Sequence, residues 1–352
     1  MTSARRVAVA MSGGLDSAVA AALLLERGFR VEGVTMRLWH ERPGTQDEAI
    51  AAARSVCRAL GIPHRVVDLR QVFYQDVVGR FLREYARGRT PNPCLPCNRL
   101  LKFGALLAEV RRSGIDTLAT GHYARVDKVD GRYRLLVGSD RHKDQSYFLY
   151  TLGQAQLAAL EFPLGTLTKA QVRDLARQRD LPVAERPESQ DVCFVPGGYR
   201  QFLARRLPGA AIPGPIVSTD GRTLGQHQGL PFYTVGQREG LGISAPYPLY
   251  VLGIDPPRNA LIVGPAQALE RPMLEAEEVS FVCGSPPAEG EEVEVRIRHR
   301  ARRQAARVWP LRDGRMRVRF AAPLRGIAPG QAVVLYSGDE VLGGGIIAGA
   351  VD

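Results

Sequence analysis

Two groups of residues have the types and spacing to do chemistry. The first is Ser12-Gly13-Gly14-Leu15-Asp16-Ser17, set between an apolar run and a helical pattern. Glycines allow the positive-φ conformations in which backbone N–H groups converge on an anion. The start of a helix adds its partial positive charge. The hydroxyls of Ser12 and Ser17 can donate to phosphate oxygens. Asp16 would repel phosphate, so it reads as a Mg²⁺ ligand on the phosphates or as a helix cap. No Gly-Lys-Ser/Thr follows, which rules out a Walker loop, and the Gly-x-Gly-x-x-Gly spacing of a dinucleotide site is absent.

The second group is built on cysteine. Pro91-Asn92-Pro93-Cys94-Leu95-Pro96-Cys97-Asn98 places two thiols three residues apart, and Cys193 lies in Ser189-Gln190-Asp191-Val192-Cys193-Phe194. Asn92 and the prolines argue for a loop at Cys94. Asn98 reads as the N-cap of a following helix, with Cys97 at the helix's positive end and its thiol pKa lowered. Cys57 sits on an Ala/Leu helix and reads as core. Cys283 has no partner by sequence. Three chemistries stay open for Cys94, Cys97 and Cys193: redox-active thiols that exchange sulfur, an iron–sulfur cluster with one open iron, or structural zinc. Zinc lacks a fourth ligand at matching spacing.

Alternating strands and helices must position these groups. Strands are expected at Val7 to Met11, Val31 to Met36, His64 to Leu69 and Ile115 to Thr120. Helices are expected at Asp16 to Arg27, Gln46 to Leu60, Val72 to Arg87 and Asn98 to Arg112. That order implies an α/β, Rossmann-like parallel sheet covered on both faces, with ligands beyond the carboxyl ends of its strands. Tyr123 to Val137 reads as a hairpin turning at Asp130-Gly131, and Thr168 to Arg179 as a further helix. Gly- and Pro-rich segments mark breaks near 207 and 271. The expected division is a catalytic domain at 1–206, a small central domain at 207–271 and an antiparallel β-barrel at 272–352.

The chain has 352 residues, a net charge of +11 and five cysteines. An odd number of cysteines without a signal peptide argues against a disulfide framework. No apolar stretch is long enough to span a bilayer, so a cytoplasmic location without a membrane partner is expected. The positive charge suggests a polyanion. In Glu292 to Arg300, Arg296, Arg298 and Arg300 alternate with Val293, Val295, Ile297 and His299, and Arg315, Arg317 and Arg319 repeat the device. Such faces suit phosphate contact.

The loop resembles the pyrophosphatase-loop motif of ATP alpha-hydrolases. Taken with further motifs, the whole chain resembles the tRNA-specific 2-thiouridylases. Those motifs are Gly88 to Pro93, Cys97-Asn98 with Lys102-Phe103, Ala119 to Arg125, Lys143 to Leu149, Glu188 to Phe194, His227-Gln228-Gly229 and Thr234 to Arg238. The resemblance implies that ATP adenylates the 2-oxygen of the wobble uridine and that sulfur then displaces AMP. It implies ATP contacts at Ala10, Met11, Ser12, Gly13, Gly14, Leu15, Asp16, Ser17, Met36 and Gly121. Cys193 would carry a persulfide, and Cys97 would release its sulfur or close a disulfide with it. Asn92, Pro93 and Cys94 would lie beside the target base. His122, Lys143, Asp144, Gln145, Arg298, His299 and Gln331 would contact the tRNA anticodon arm. The sulfur would come from a relay protein or a cysteine desulfurase. Cys94 stands where many members carry Asp; it cannot act as that carboxylate, and it completes the three thiols that a 4Fe–4S cluster would need. Two rivals remain: another adenylating enzyme such as an amidotransferase, for which no glutaminase segment is present, and a non-catalytic RNA-binding sensor.

Overall fold

The computed structural model describes residues 5–42, 44–186, 192–195 and 197–352. Its first sheet is parallel, in the order His64–Asp68, Arg30–Arg37, Arg6–Ala10, Leu118–Ala119, Leu160–Glu161. The central strand is apolar because both of its faces are covered: Val7, Ala8 and Val9 are fully buried. Helix Leu15–Glu26 buries Ala18 through Ala22 and Leu24, and Thr45–Ala59 buries Ile50, Ala53, Val56 and Cys57. Strand order reverses beside Arg6–Ala10, with Arg30–Arg37 on one side and Leu118–Ala119 on the other. A doubly wound sheet opens its ligand crevice at such a switch point.

Local structure departs from the sequence expectation in several places. The strand expected over Ile115 to Thr120 shortens to Leu118–Ala119, and Leu160–Glu161 adds a short fifth strand. Helix Tyr199–Arg206 was not expected either. Two helices contain π-wound stretches, Tyr74–Val78 and Cys97–Leu106. The helix carrying Cys97 begins at Cys94, so Cys94 occupies a first helical turn and not a loop. Pro96 is tolerated there because a first-turn N–H needs no helical partner. The N-cap position falls to Pro93, with no side-chain cap bond, and one residue earlier Asn92 Oδ1 accepts from the Cys94 N–H at 3.1 Å. Asn98 itself is buried and donates to the Phe148 carbonyl at 3.1 Å.

The second sheet is small and mostly antiparallel, in the order Tyr250–Asp255, Ala260–Gly264, Gly214–Ser218, Thr223–His227. The last part is a closed antiparallel barrel. Arg271–Phe281, Met316–Leu324, Gln304–Pro310, Glu291–Arg296, Ala332–Ser337 and Glu340–Val351 pair in that order, and the last strand returns to the first. Leu274, Val295, Val308, Val318, Leu335 and Ile347 fill it. The hairpin Ala124–Val129 and Arg132–Val137 forms as expected. Asp130 and Gly131 have φ of 48° and 82°, the pair of positive values a type I′ turn requires. Sequence placed this hairpin with the catalytic domain, yet it pairs with the barrel, Leu135 opposite Val341 and Leu136 opposite Glu340.

A second tie joins the same parts. Asp144 is 2% exposed. Its carboxylate accepts from Gly138 N at 3.0 Å, Ser146 N at 3.1 Å, Ser146 Oγ at 3.0 Å and the barrel's Arg296 Nη1 at 3.1 Å. Asp144→Ala leaves a buried guanidinium without its counter-ion and is expected to destabilise the fold by about 3 kcal/mol or more. Urea denaturation followed by circular dichroism checks this; a loss below about 1 kcal/mol would show that the pair contributes no more than a surface one.

Candidate adenylating and sulfur-handling site

The glycine-rich loop leaves the central strand at the switch point. Gly13 has φ of 73°, a conformation that disfavours a side chain. Ser17 Oγ accepts from Ser12 N and lies 3.2 Å from Ser12 Oγ; it donates to Gly14 O at 3.1 Å. The loop is thus wound on its own hydroxyls. Behind it, Thr35 Oγ1 donates to Met11 O at 2.9 Å and lies 2.8 Å from His64 Nε2. A hydroxyl has one proton, so His64 must donate from Nε2. Met36 follows Thr35 on the same strand, and Arg186 Nη1 donates to Gly13 O at 2.7 Å.

Asp16 is not a helix cap. The N-cap position belongs to Gly14, with no side-chain cap bond, and Asp16 lies in the first turn. Its Oδ1 accepts from Tyr123 Oη at 2.8 Å and from Lys169 Nζ at 2.6 Å. Among the described residues Oδ2 accepts no hydrogen bond, which leaves one oxygen for a cation such as Mg²⁺ on the phosphates of ATP. Lys169 lies in no motif and Tyr123 lies in one that gave it no role; only folding brings these residues, 153 and 107 positions away, onto Asp16. Gly121, from the neighbouring strand's loop, backs against the helix start. A Cβ there would stand 2.8 Å from the Asp16 carbonyl carbon and 2.9 Å from Ser17 N.

His122 follows and is 8% exposed. Its Nδ1 lies 2.7 Å from Thr120 Oγ1, and its Nε2 lies 3.4 Å from Lys102 Nζ. An ammonium only donates, so Nε2 accepts and Nδ1 carries the proton toward Thr120. Burial, with the Lys102 charge beside it, holds the imidazole pKa well below its usual value and keeps the ring neutral.

The thiols gather near Lys102. Cys193 feels the charge of both Cys94 and Cys97, and Lys102 acts on all three. Cys193 is held by its neighbour: the Phe194 ring is buried edge-on against Phe73 at 5.5 Å, Phe81 at 5.5 Å and Phe202 at 5.6 Å. The expected motif residues Glu188, Ser189, Gln190 and Asp191 lie outside the described residues. Cys94 and Cys193 keep surface open to solvent, but protein crowds each sulfur. Desolvation therefore raises all three thiol pKa values, Cys193 to about 12. The low thiol pKa expected at Cys97 from its helix position is reversed, because burial outweighs the helix terminus and the lysine. All five cysteines are free. Among the described residues no group of three His, Cys, Asp or Glu side chains is arranged to hold a metal ion, so the thiols as placed do not fit a cluster or zinc.

Apart from His122, the residues expected on tRNA fall mainly into three places. Lys143, Asp144 and Gln145 meet His299, whose Nε2 lies 2.9 Å from Asp144 O and whose ring lies 4.4 Å from Phe148. Within this run the Asp144 carboxylate is spent internally, and Gln145 Oε1 accepts from Tyr123 N at 3.0 Å. Arg298 and Gln331 line a separate cleft with Thr90, Thr234, Gly236 and Gln237, where all three parts of the chain converge. Gln331 Nε2 donates to Thr90 O at 2.7 Å, and Arg298 Nη2 to Gly326 O at 2.6 Å. Asn92 and Pro93 line a third cavity, of about 270 Å³, closed on its far side by Glu278 and Gly330 of the barrel. The arginine faces are less free than their alternation suggested. Arg296 pairs with Asp144, and Arg315 and Arg317 both pair with Glu275.

Raised thiol pKa values set a pH dependence. A thiol with pKa near 12 is about 1 part in 10,000 thiolate at pH 8, and the fraction rises tenfold per pH unit. Iodoacetamide labelling of Cys193 in the free protein is expected to accelerate through pH 8 to 10 without a plateau. A plateau below about pH 9 would show that the thiol is not desolvated.

Comparisons with known proteins agree on one family. Residues 5–197 match the family model of the tRNA methyl transferase HUP domain, 200–265 that of the tRNA methyl transferase PRC-barrel domain, and 271–347 that of the aminomethyltransferase beta-barrel domain. The tRNA-specific 2-thiouridylase MnmA of Chloroflexus aurantiacus is 51% identical, over 97% of this chain and 98% of its own. That of Moorella thermoacetica is 50% identical, over 96% and 98%. That of Magnetococcus marinus is 49% identical, over 99% and 100%. A solved U34-tRNA thiolase NcsA from Methanococcus maripaludis with its [4Fe-4S] cluster is 21% identical, with a TM-score of 0.35 over 53% of this chain and 60% of its own. The loop at the switch point, the gathered thiols and relatives matching from end to end place the chain in the family of tRNA-specific 2-thiouridylases, enzymes that transfer sulfur to tRNA.

Proposed function

We propose that the protein adenylates the 2-oxygen of the wobble uridine with ATP and replaces that oxygen with sulfur carried on Cys193. What supports this reading is a chain of contacts: Gly121 backs against the start of the helix after the glycine loop, the next residue, His122, lies 3.4 Å from Lys102 Nζ, and the Lys102 charge acts on Cys94, Cys97 and Cys193. In the first half, the uridine oxygen attacks the α-phosphorus of ATP and pyrophosphate leaves from the loop Ser12 to Ser17. Ala10, Met11, Met36 and Gly121 frame the nucleotide. Mg²⁺, held in part by the open oxygen of Asp16, would neutralise the phosphates.

In the second half, the terminal sulfur of a Cys193 persulfide attacks C2 and AMP leaves with the original oxygen. The Cys97 thiolate then attacks the Cys193 sulfur, which frees the thiocarbonyl and leaves a Cys97–Cys193 disulfide. A thiol reductant resets the pair. The sulfur enters from a persulfide donor, a relay protein or a cysteine desulfurase. Crowding of the thiols favours this order, since a desolvated thiol stays protonated until its partner and charges are in place. The target base must leave its stack to reach them, as an anticodon-loop nucleotide can. Asn92, Pro93 and Cys94 open the helix on which Cys97 stands and are the residues beside which it would lie. The 4Fe–4S alternative needs Cys94, Cys97 and Cys193 on one cluster face; the described residues hold no such group, and no step is drawn through it.

The decisive experiment incubates the protein with tRNA, ATP and a persulfide donor and analyses the nucleosides by mass spectrometry. Formation of 2-thiouridine with release of one AMP and one pyrophosphate is expected. Cys97→Ala and Cys193→Ala should each abolish it; full activity in either variant would overturn its assignment. The protein as purified should contain no iron, and thiolation that requires added iron and sulfide would favour the cluster.

Phosphate contact by Lys143, Arg298, His299, Arg300 and Arg319 predicts salt-sensitive binding. Affinity for tRNA should fall at least about tenfold between about 50 and 200 mM salt. A filter-binding affinity that does not change over that range would remove the basic faces from the interface.

A further inference from the structure

Lys102 belongs to a motif that the reaction above leaves without a role. It lies on the π-wound stretch Cys97–Leu106, five residues after Cys97. In an α-helix, residues five apart point about 140° away from each other. Bonding from i to i+5 instead returns position i+5 to the face of position i. The winding is accommodated at Gly104, where a Cβ would come within 3.1 Å of the Arg99 carbonyl oxygen, five residues earlier. The π stretch thus puts the ammonium of Lys102 on the face that carries the Cys97 thiol.

The ammonium is held from the other side by a neutral acceptor. His122 Nε2 lies 3.4 Å from Lys102 Nζ, and the His122 ring is itself fixed by Thr120 Oγ1 at 2.7 Å and by the rings of Phe103 at 5.7 Å and Phe162 at 6.0 Å. Among the described residues no carboxylate pairs with Lys102, which is half-buried. A cation left without a counter-ion beside three thiols is poised for an anion that forms there.

We propose that Lys102 is the positioning residue for the sulfur half of the reaction: pinned by neutral His122, its ammonium is the counter-ion for the thiolate of Cys97 and for the persulfide of Cys193. This rests on the sulfur-transfer reading and adds to it the group that stabilises the nucleophile. Lys102 is the cation whose charge opposes desolvation at Cys94, Cys97 and Cys193 alike. It transfers no proton. His122 is too weak a base to take one from an ammonium, and the thiol proton goes to solvent.

The test compares wild type with Lys102→Gln and Lys102→Arg in the full-length protein. The first arm labels Cys97 with iodoacetamide at pH 8, without ATP or tRNA, and reads the rate by peptide mass analysis. Lys102→Gln should label about tenfold more slowly, the change expected for one pKa unit, and Lys102→Arg should recover most of the rate. The second arm measures tRNA-dependent pyrophosphate release and single-turnover thiolation from persulfide-loaded protein. Lys102→Gln should release pyrophosphate within about twofold of wild type and lose thiolation at least about tenfold, with the tRNA KM unchanged. If Lys102→Gln does not fold, Lys102→Met serves in both arms. Unchanged labelling in a folded variant would overturn the proposal, and so would pyrophosphate release that falls in step with thiolation. Slower labelling in a protein whose wild type does not thiolate tRNA would leave the Lys102 assignment standing and remove only the sulfur-transfer reading.

Discussion

The structure depends on two loops whose backbones touch at the reversal of strand order. One leaves Arg6–Ala10 and winds through the glycines into a helix; the other leaves Leu118–Ala119 and brings Gly121 against that helix start. A side chain at Gly121 would occupy the space of the Asp16 backbone. Close approach here aligns the helix N-terminus, the loop N–H groups and the His122 ring around one crevice. The apolar strands and the buried alanines of the first helix hold that geometry, because packing a helix this near a sheet requires small residues on its inner face.

Electrostatics in the crevice follows from burial more than from sequence neighbours. A cysteine at a helix start has a lowered pKa in an open site; here protein packs around the sulfurs and the neutral thiol wins. The same crowding makes His122 neutral. Neutral groups surround one ammonium on Lys102, and a second, on Lys169, is paired with Asp16 at the phosphate loop. The two ammonium groups thus differ in partner, a neutral imidazole for one and a carboxylate for the other.

The barrel is not an appendage. Its last strand extends past the closure to pair with the hairpin, Arg296 is the counter-ion of buried Asp144, and Thr90 N donates to Pro329 O at 2.8 Å beside the Gln331 contact. These ties fix the barrel against the segment from Thr90 to Cys97. The cleft at Arg298 and Gln331 is therefore held in place relative to the segment that carries Cys94 and Cys97.

Much of this was legible in the residues themselves. The phosphate loop, the strand and helix alternation, the type I′ hairpin at Asp130-Gly131 and the barrel's alternating strands follow from local rules: glycine conformations, apolar periodicity and turn chemistry act within a few residues. Cys94, Cys97 and Cys193 also stood out in the sequence, by their prolines and polar neighbours, while the roles given to them came from the family resemblance alone. What required the folded chain was everything set by distant partners. Asp16 read as a magnesium ligand or a cap; it is not the cap, and its Oδ1 accepts from Tyr123 and Lys169. Cys97 looked acidic and is desolvated. The arginine strands looked free, and Glu275 and Asp144 take several of them. Lys102 stood in a motif without a role, and the π winding of its helix after Cys97 had no signal in the sequence. In each case local sequence sets which groups can form, while burial and contacts across the sheet decide their charge state and partner, because both depend on solvent exclusion by residues far away along the chain.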